Sequence, residues 1–404
     1  MSKVKKITGD LVYSITAVGI MNMVLQFIVY PLINYKIGSG KFGDMLFYMG
    51  VVNILAPSFG IAVNNTRLLL PDREKFFNKD FLYVLTIFSL ISAIIGCGIG
   101  VYRKNFWLST FFFLIIIIST IFRNYSSVEF RLTLNYKRQF VFYMILSVGY
   151  LLGLLLFWFS GRWELVYILG ECSAVLFVAA TGHIYNKLQN YSEKRNLVLK
   201  NSFTLALNYL ITNLMLNLDR IVLLRFVGNE AVSQYYVLSL MGKTIAIISG
   251  PLNGILIGYL TKDNERIDRK GFIKAGGIML AVGCVFLLGC LVATPIYIKI
   301  MYPNLYGSVI SLNLIVNLSQ ILYFLAGILV VITLTVCPAK GVLMIQIIYS
   351  LIFIVLSVGL TNYFGIRGFS YAALASNMVY FILIYLLGFF CAKKKHKYVK
   401  EQGE

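Results

Sequence analysis

About twelve long apolar segments fill this chain of 404 residues almost from end to end, and no connection between them is long enough to form a soluble domain. Each segment has roughly the 20 residues that a helix needs to cross ~30 Å of hydrocarbon. Hydrophobic residues make up 59% of the chain, charged residues only 13%, and the mean hydropathy is +0.81. Soluble folds are excluded on these grounds. The sequence predicts an all-α integral membrane protein that works within the bilayer.

The predicted spans form two groups of six. A charged connection at residues 186–200 separates them, and we place the boundary between an amino-terminal lobe, 1–190, and a carboxy-terminal lobe, 191–404. The spans cover roughly 11–34, 43–64, 81–102, 106–126, 140–160, 163–186, 202–227, 231–260, 275–299, 308–335, 341–361 and 368–391.

The net charge of +20 is distributed unevenly between the two sides of this predicted bundle. Most of the lysines and arginines lie at span ends on the same side as the amino terminus. The positive-inside rule therefore predicts that both termini are cytoplasmic, which requires an even number of spans. Topology and anionic lipids account for most of these cations, and no nucleic-acid partner is expected. The first span has no A-x-A-like cleavage site and is interpreted as a retained anchor.

A weak internal repeat relates the two lobes. Segment 37–44 (IGSGKFGD), between the first two spans, is matched by segment 227–234 (VGNEAVSQ), between the seventh and eighth. Since each lobe has an even number of spans, the copies have the same orientation, which predicts a parallel repeat about a pseudo-two-fold axis along the membrane normal. Such repeats usually enclose a central site, whereas chance similarity between apolar hairpins is the alternative.

Polar side chains within the apolar helices are the candidate site residues, because their burial in hydrocarbon is costly and they normally face a cavity or a partner. Cations attract phosphate, and amides suit sugar hydroxyls. The candidates for the substrate head group and cavity are Arg220, Lys243, Arg123, Asn213, Asn217, Asn22, Gln26, Asn313, Asn317 and Gln320. The candidates for a coupling-ion site or charge partner are Asp219 and Glu171.

A structural explanation exists for each of these groups. Either carboxylate can simply neutralise Arg220 or Lys243 in an ion pair, and Arg123 is close enough to the cytoplasmic edge to snorkel. The amides can form interhelical hydrogen bonds worth ~0.6 kcal/mol each. Several aligned polar stripes favour a hydrated cavity instead.

The remaining chemistry-bearing residues do not indicate catalysis. The six cysteines show no C-x-x-C pairing and argue for neither a disulfide framework nor a zinc site, so we expect them to act as small packing residues. The two histidines lie near the cytoplasmic side, and no H-E-x-x-H, nucleophile elbow or large loop is present. The sequence predicts a protein that is not an enzyme and needs neither a cofactor nor a metal.

Segments 217–228 (NLDRIVLLRFVG) and 231–236 (AVSQYY) resemble the seventh and eighth spans of bacterial Wzx-type polysaccharide flippases. These belong to the multidrug/oligosaccharidyl-lipid/polysaccharide exporter (MOP) superfamily, and the resemblance includes the 6 + 6 halves and short loops. It implies a MATE-like fold and transfer of an undecaprenyl-diphosphate-linked O-antigen or capsular repeat unit to the outer leaflet of the bacterial inner membrane. The implied partners are that glycan, membrane lipid, H⁺ or Na⁺, and polysaccharide assembly proteins.

Two rival functions stay open at this point. A cation-coupled exporter of drugs or other small molecules from the same superfamily would use Asp219 as its ion site. A membrane polysaccharide polymerase would need a sizeable outer loop with catalytic Arg or His, and the sequence contains no such loop.

Overall fold

A computed structural model describes residues 3–70, 76–104, 106–186, 191–262 and 269–398. Within these ranges the regular structure is helical and contains no β-strand. The predicted all-α architecture is therefore confirmed for the described part of the chain. The chain forms two compact units, Met1–Leu218 and Asp219–Glu404.

The described residues of the first unit form seven α-helices, a π-helical turn and most of an eighth α-helix. They are α1 (Lys3–Met23), the π-helix (Val24–Val29), α2 (Tyr30–Leu69), α3 (Asn78–Tyr102), α4 (Trp107–Ser126), the short α5 (Val128–Leu132), α6 (Tyr136–Ser160), α7 (Glu164–Thr181) and α8 (Arg195–Phe226). The amino-terminal part of α8 packs on α2: Ser202 donates to Thr66 at 3.1 Å, and Asn65 donates to Tyr209 at 2.6 Å. The lobe boundary at 190/191 stays a prediction.

The second unit begins with the last turns of α8. It continues with α9 (Asn229–Lys262), α10 (Arg269–Met301), α11 (Pro303–Val309), a 3₁₀ turn (Ile310–Leu312), α12 (Asn313–Val336) and α13 (Ala339–Tyr398). The longest helix, α13, is interrupted at Gly365, where the backbone leaves the helical region.

Eight segments of the described chain are long and apolar enough to cross a membrane, which makes this a multi-pass membrane protein. Two of the eight, Tyr13–Leu69 and Lys340–Ala392, are more than twice the length of one span and contain the breaks at Gly38 and Gly365. The predicted seventh and eighth spans correspond to α8 and α9, which fall outside these eight. The count of twelve spans therefore remains a prediction.

Four glycines with positive φ mark sharp turns in the described chain, at corresponding points of the two predicted lobes. Gly38 (φ 80°) and Gly228 (φ 119°) follow the first predicted span of each predicted lobe, and they are the two glycines that the sequence repeat aligns. Gly161 (φ 72°) and Gly365 (φ 59°) precede the last predicted span of each predicted lobe. Glycine adopts this backbone region without the steric cost that a Cβ brings. The second pair of turns, which the sequence repeat does not include, supports the predicted internal repeat.

Close packing of α6 on α7 depends on small residues, as expected where lipid supplies no hydrophobic drive between helices. A Cβ built on Gly153 would lie 2.5 Å from the Cα of Val166, and one on Gly149 would lie 2.7 Å from the Cα of Gly170. A Cβ on Gly170 would in turn meet the Tyr150 ring at 2.2 Å. The contact holds the Tyr150 ring against α7, next to Glu171.

The cysteine prediction is corrected by a disulfide between Cys337 and Cys391, whose Cα atoms are 5.5 Å apart. The turn at Gly365 folds the second half of α13 back, so that residues 54 positions apart in sequence meet at one end of the unit. The spacing of the cysteines in the sequence does not predict this long-range contact. The other four cysteines are free.

Candidate functional site

Glu171 of α7 is the centre of a polar cluster inside the first unit. Its Oε2 accepts a 2.5 Å hydrogen bond from Arg123 Nε on α4, and its Oε1 accepts a 2.6 Å bond from the Tyr150 hydroxyl on α6. The Glu171 side chain is only 3% exposed and that of Arg123 is 16% exposed. Three helices are thus joined through one carboxylate whose two oxygens both have donors. Arg123 thus pairs with Glu171 and does not snorkel to the membrane surface, the alternative that its sequence position allowed.

Asp219 and Lys243 form the corresponding charged contact inside the second unit. Lys243 Nζ on α9 donates to Asp219 Oδ2 on α8 at 2.6 Å, with the Asp219 side chain 8% exposed and that of Lys243 30% exposed. The other oxygen, Asp219 Oδ1, is buried and has no hydrogen-bond partner in the described part of the chain. This ion pair is one of the structural alternatives that the sequence left open. Its carboxylate nevertheless keeps one oxygen that can accept a proton or bind a cation.

Arg220 lies next to Asp219 in sequence and is buried in the same unit. Its guanidinium stacks over the ring of Tyr236 on α9, 5.7 Å from the ring centroid, while Lys243 Nζ lies 5.9 Å from the centroid of Tyr235. Adjacent residues on a helix point about 100° apart, so Asp219 and Arg220 reach different neighbours on α9. Two cations and one carboxylate are therefore held between α8 and α9.

A glycine on α9 brings an amide of α12 next to this charged group. A Cβ built on Gly242 would lie 2.5 Å from Gln320 Cβ and 3.2 Å from Asn317 Oδ1. Gln320 also hydrogen-bonds the hydroxyl of Tyr235. Gln320 and Tyr235 thus join the neighbourhood of Lys243, and Tyr235 is a member that the polarity pattern of the sequence did not identify.

Asn313 and Asn317 connect α12 to α10 by hydrogen bonds. Asn317 donates to Thr294 Oγ1 at 3.3 Å and to the Asn313 side chain at 2.8 Å, and Asn313 donates to the carbonyl of Leu291 at 3.2 Å. Asn317 is fully buried. These contacts are the interhelical hydrogen bonds that the sequence analysis gave as the structural explanation for the amides. Asn313 is the first residue of α12, because the preceding 3₁₀ turn shortens the expected span.

The other amide candidates belong to the first unit. Asn213 donates to Ser58 on α2 at 2.9 Å, and Asn217 donates to the Asn213 carbonyl one turn earlier at 2.9 Å. Asn22 likewise bonds a carbonyl of its own helix, that of Val18, at 3.0 Å. Gln26 lies in the π-helix Val24–Val29, whose wider turn changes the α-helical spacing of four residues by which Asn22 and Gln26 would share one face. Single π-helical turns often occur at functional positions, which makes this segment a second feature that the sequence missed.

The structure thus brings the charged candidates into two groups, one in each unit. Arg123 and Glu171 belong to the first group, with the newly identified Tyr150. Asp219, Arg220 and Lys243 belong to the second. The charged pairs join residues 24 and 48 positions apart in sequence, so no local pattern specifies them.

The fold is similar to that of solved transporters of the MOP superfamily. An inward-facing multidrug resistance MATE family transporter matches with a TM-score of 0.69 and 13% identity, covering 97% of this chain and all of the other. An outward-facing MATE family transporter matches with a TM-score of 0.62 and 16% identity, covering 94% of both chains. The lipid II flippase MurJ, in an inward closed conformation, matches with a TM-score of 0.66 and 12% identity, covering 94% of this chain and 86% of the other.

No protein-family model matches the chain, and no curated protein matches it by sequence. At identities this low, likeness to solved structures establishes the fold alone. The chain is therefore a multi-pass membrane protein with the MATE-like fold shared by these multidrug transporters and the lipid II flippase.

Proposed function

We propose that this protein is a flippase that transfers an undecaprenyl-diphosphate-linked oligosaccharide repeat unit to the outer leaflet of the bacterial cytoplasmic membrane. Two lobes, 1–190 and 191–404, alternate access to the substrate, and both termini are cytoplasmic. The observation that carries the proposal is the positive charge held within apolar helices of the second unit. Arg220 and Lys243 lie there close to the Asp219 carboxylate, which forms its ion pair with Lys243.

A diphosphate is the part of such a substrate that these cations suit. The Arg220 guanidinium can hold phosphate oxygens through a bidentate fork, and Lys243 supplies a mobile point charge. Lys243 is the more exposed partner of its ion pair, so it can exchange the Asp219 carboxylate for a phosphate oxygen. The Gln320 amide beside it suits the hydroxyls of the first sugars. The lipid tail remains in the bilayer.

Asp219 is the stronger candidate for the coupling ion, H⁺ or Na⁺. Both oxygens of Glu171 already have donors, whereas Asp219 Oδ1 is buried without a hydrogen-bond partner among the described residues. A proton or cation on Asp219 weakens its hold on Lys243 and frees the ammonium for the diphosphate. A bound ion can bias the transporter only if its affinity differs between the two conformations, and this exchange supplies such a difference.

The test is export in a bacterial strain that lacks its own polysaccharide flippase. Arg220→Ala and Lys243→Ala proteins should insert normally and lose most of the surface polysaccharide. Arg225→Ala is the matched control, because Arg225 lies on the same helix but is exposed near its end. Full surface polysaccharide from the Arg220→Ala/Lys243→Ala double variant would refute the head-group assignment.

The rival function, export of cationic drugs, is favoured by the likeness to multidrug transporters. The cations of the second unit oppose it, since they repel the positively charged compounds that Asp219 would otherwise attract. Minimum inhibitory concentrations in a drug-sensitive host distinguish the two. Resistance that requires Asp219, with no effect on glycan export, would replace the flippase proposal.

A further inference from the structure

A polar cavity lies in the first unit, away from the Arg123–Glu171 pair, where the part of α2 just after Gly38 meets the amino-terminal ends of α4 and α7, on the side predicted to be external. Its volume is about 100 Å³, several times what one water molecule needs. It can therefore hold a small polar group, not a chain of sugars. It is lined by Asp44, Tyr48, Ser109, Phe113, Trp163 and Glu164.

Two carboxyl groups supply hydrogen-bond acceptors to this cavity. Glu164, at the start of α7, is only 5% exposed and hydrogen-bonds the hydroxyl side chain of Ser109. Asp44 forms an ion pair with Arg103, which also hydrogen-bonds Tyr48. Because these partners fix both carboxyl groups on helices, the acceptors are already oriented before a ligand enters.

Aromatic rings also line the cavity. Tyr48 stacks on Trp163 with ring centroids 6.4 Å apart and planes inclined by 25°, and Phe113 meets the Tyr48 ring edge-on at 5.0 Å. Trp163 is half-buried and contributes to the cavity lining. A cavity lined by aromatic rings and by fixed polar acceptors suits a ligand with one apolar face and several hydroxyl donors. A pyranose sugar ring has this character, because its C–H groups lie on its faces and its hydroxyls point outward.

The second unit differs at the matching position. The repeat aligns Asp44 with Gln234, and Gln234 donates to Ser308 of α11 at 3.4 Å. A neutral amide that bonds a hydroxyl directly thus stands where the first unit has a carboxylate beside a cavity. The carboxylate that lines the cavity of the first unit is therefore not repeated at the aligned position of the second unit.

We propose that this cavity is a sugar subsite, which binds one pyranose residue through the carboxyl groups of Asp44 and Glu164 and the ring of Trp163. Its place in transport rests on the proposed flippase function: it would receive one sugar of the glycan on the outer side. Binding of a free sugar does not depend on that function and can be measured separately.

The chain provides its own reporter, because Trp163 is one of only three tryptophans. Trp107 and Trp158, which are exposed, are replaced by Phe in the full-length protein so that fluorescence reports on Trp163. Purified protein is titrated with glucose, galactose and N-acetylglucosamine, and separately with NaCl and with mannitol, a polyol without a ring. We expect a saturable emission change with at least one of the three sugars and none with mannitol or NaCl.

Matched variants assign that response to the cavity. Asp44→Asn and Glu164→Gln should each raise the half-saturating sugar concentration at least tenfold, whereas Gln234→Ala should leave it unchanged. The inference is overturned if none of the sugars gives a saturable response, if mannitol or NaCl gives the same response, or if both carboxyl variants respond normally. Export measured on the same proteins separates the two proposals. Sugar binding without glycan export would support the sugar subsite and refute the flippase function. Glycan export without sugar binding would support the flippase function and refute the subsite.

Discussion

Removal of Arg123 should destabilise the first unit strongly, because it leaves the Glu171 carboxylate buried without its charged partner. Breaking one side of a buried ion pair costs about 3–5 kcal/mol. For a unit the size of Met1–Leu218, a loss of 1 kcal/mol corresponds to roughly 2–4 °C in melting temperature. The Arg123→Ala protein should therefore melt on the order of 10 °C lower than the parent.

The assay is the loss of the monodisperse chromatographic peak of detergent-purified protein after heating. Arg103→Ala is the matched control, because the Arg103–Asp44 pair is more exposed and such pairs contribute only ~0–1 kcal/mol. The double variant Arg123→Ala/Glu171→Ala should recover part of the loss, since it removes the stranded charge along with its partner. Equal melting temperatures for the single and double variants, or an equal loss from Arg103→Ala, would show that the pair is not coupled as described.

Three further changes test other parts of the structure. Gly242→Leu should lower the melting temperature by several degrees, because its side chain would collide with α12, whereas Gly277→Ala, with nothing within 4 Å, should not; equal effects would contradict the packing. Gly38→Ala should cost about 1–3 kcal/mol from its positive φ alone, and an unchanged melting temperature would argue against the turn. A maleimide reagent should label four of the six cysteines in unfolded, unreduced protein and all six after reduction; labelling of Cys337 or Cys391 before reduction would disprove the disulfide.

The fold class could be predicted from the sequence because hydropathy over 20-residue segments depends only on local composition. The sequence repeat aligned Gly38 with Gly228, whereas the sharp turns at these two glycines were found only in the structure. Helix irregularities could not be predicted: the π-helix that contains Gln26 and the 3₁₀ turn before Asn313 arise from packing, and both change where a stripe of amides points.

The candidate site was predictable as a set of residues but not as a set of contacts. The free-energy cost of burying a charged side chain in hydrocarbon was sufficient to identify the candidates Arg123, Glu171, Asp219 and Lys243. Which carboxylate pairs with which cation depends on how helices pack, and the close approach at Gly170 that brings Tyr150 to Glu171 has no signature in the local sequence. Tyrosine is also a common packing residue, so the sequence alone did not indicate that the Tyr150 hydroxyl bonds Glu171.

The most direct test of the central claim is transfer of a lipid-linked oligosaccharide by purified protein in vesicles. Undecaprenyl-diphosphate-linked glycan is placed in the inner leaflet, and its appearance outside is followed with a lectin that cannot cross the membrane. We expect transfer well above that of protein-free vesicles, and a roughly 10- to 100-fold slower rate for Arg220→Gln or Lys243→Gln, the equivalent of one lost charge-assisted contact of about 1.5–3 kcal/mol. Transfer no faster than in protein-free vesicles, or an unimpaired Arg220→Gln/Lys243→Gln double variant, would contradict the account.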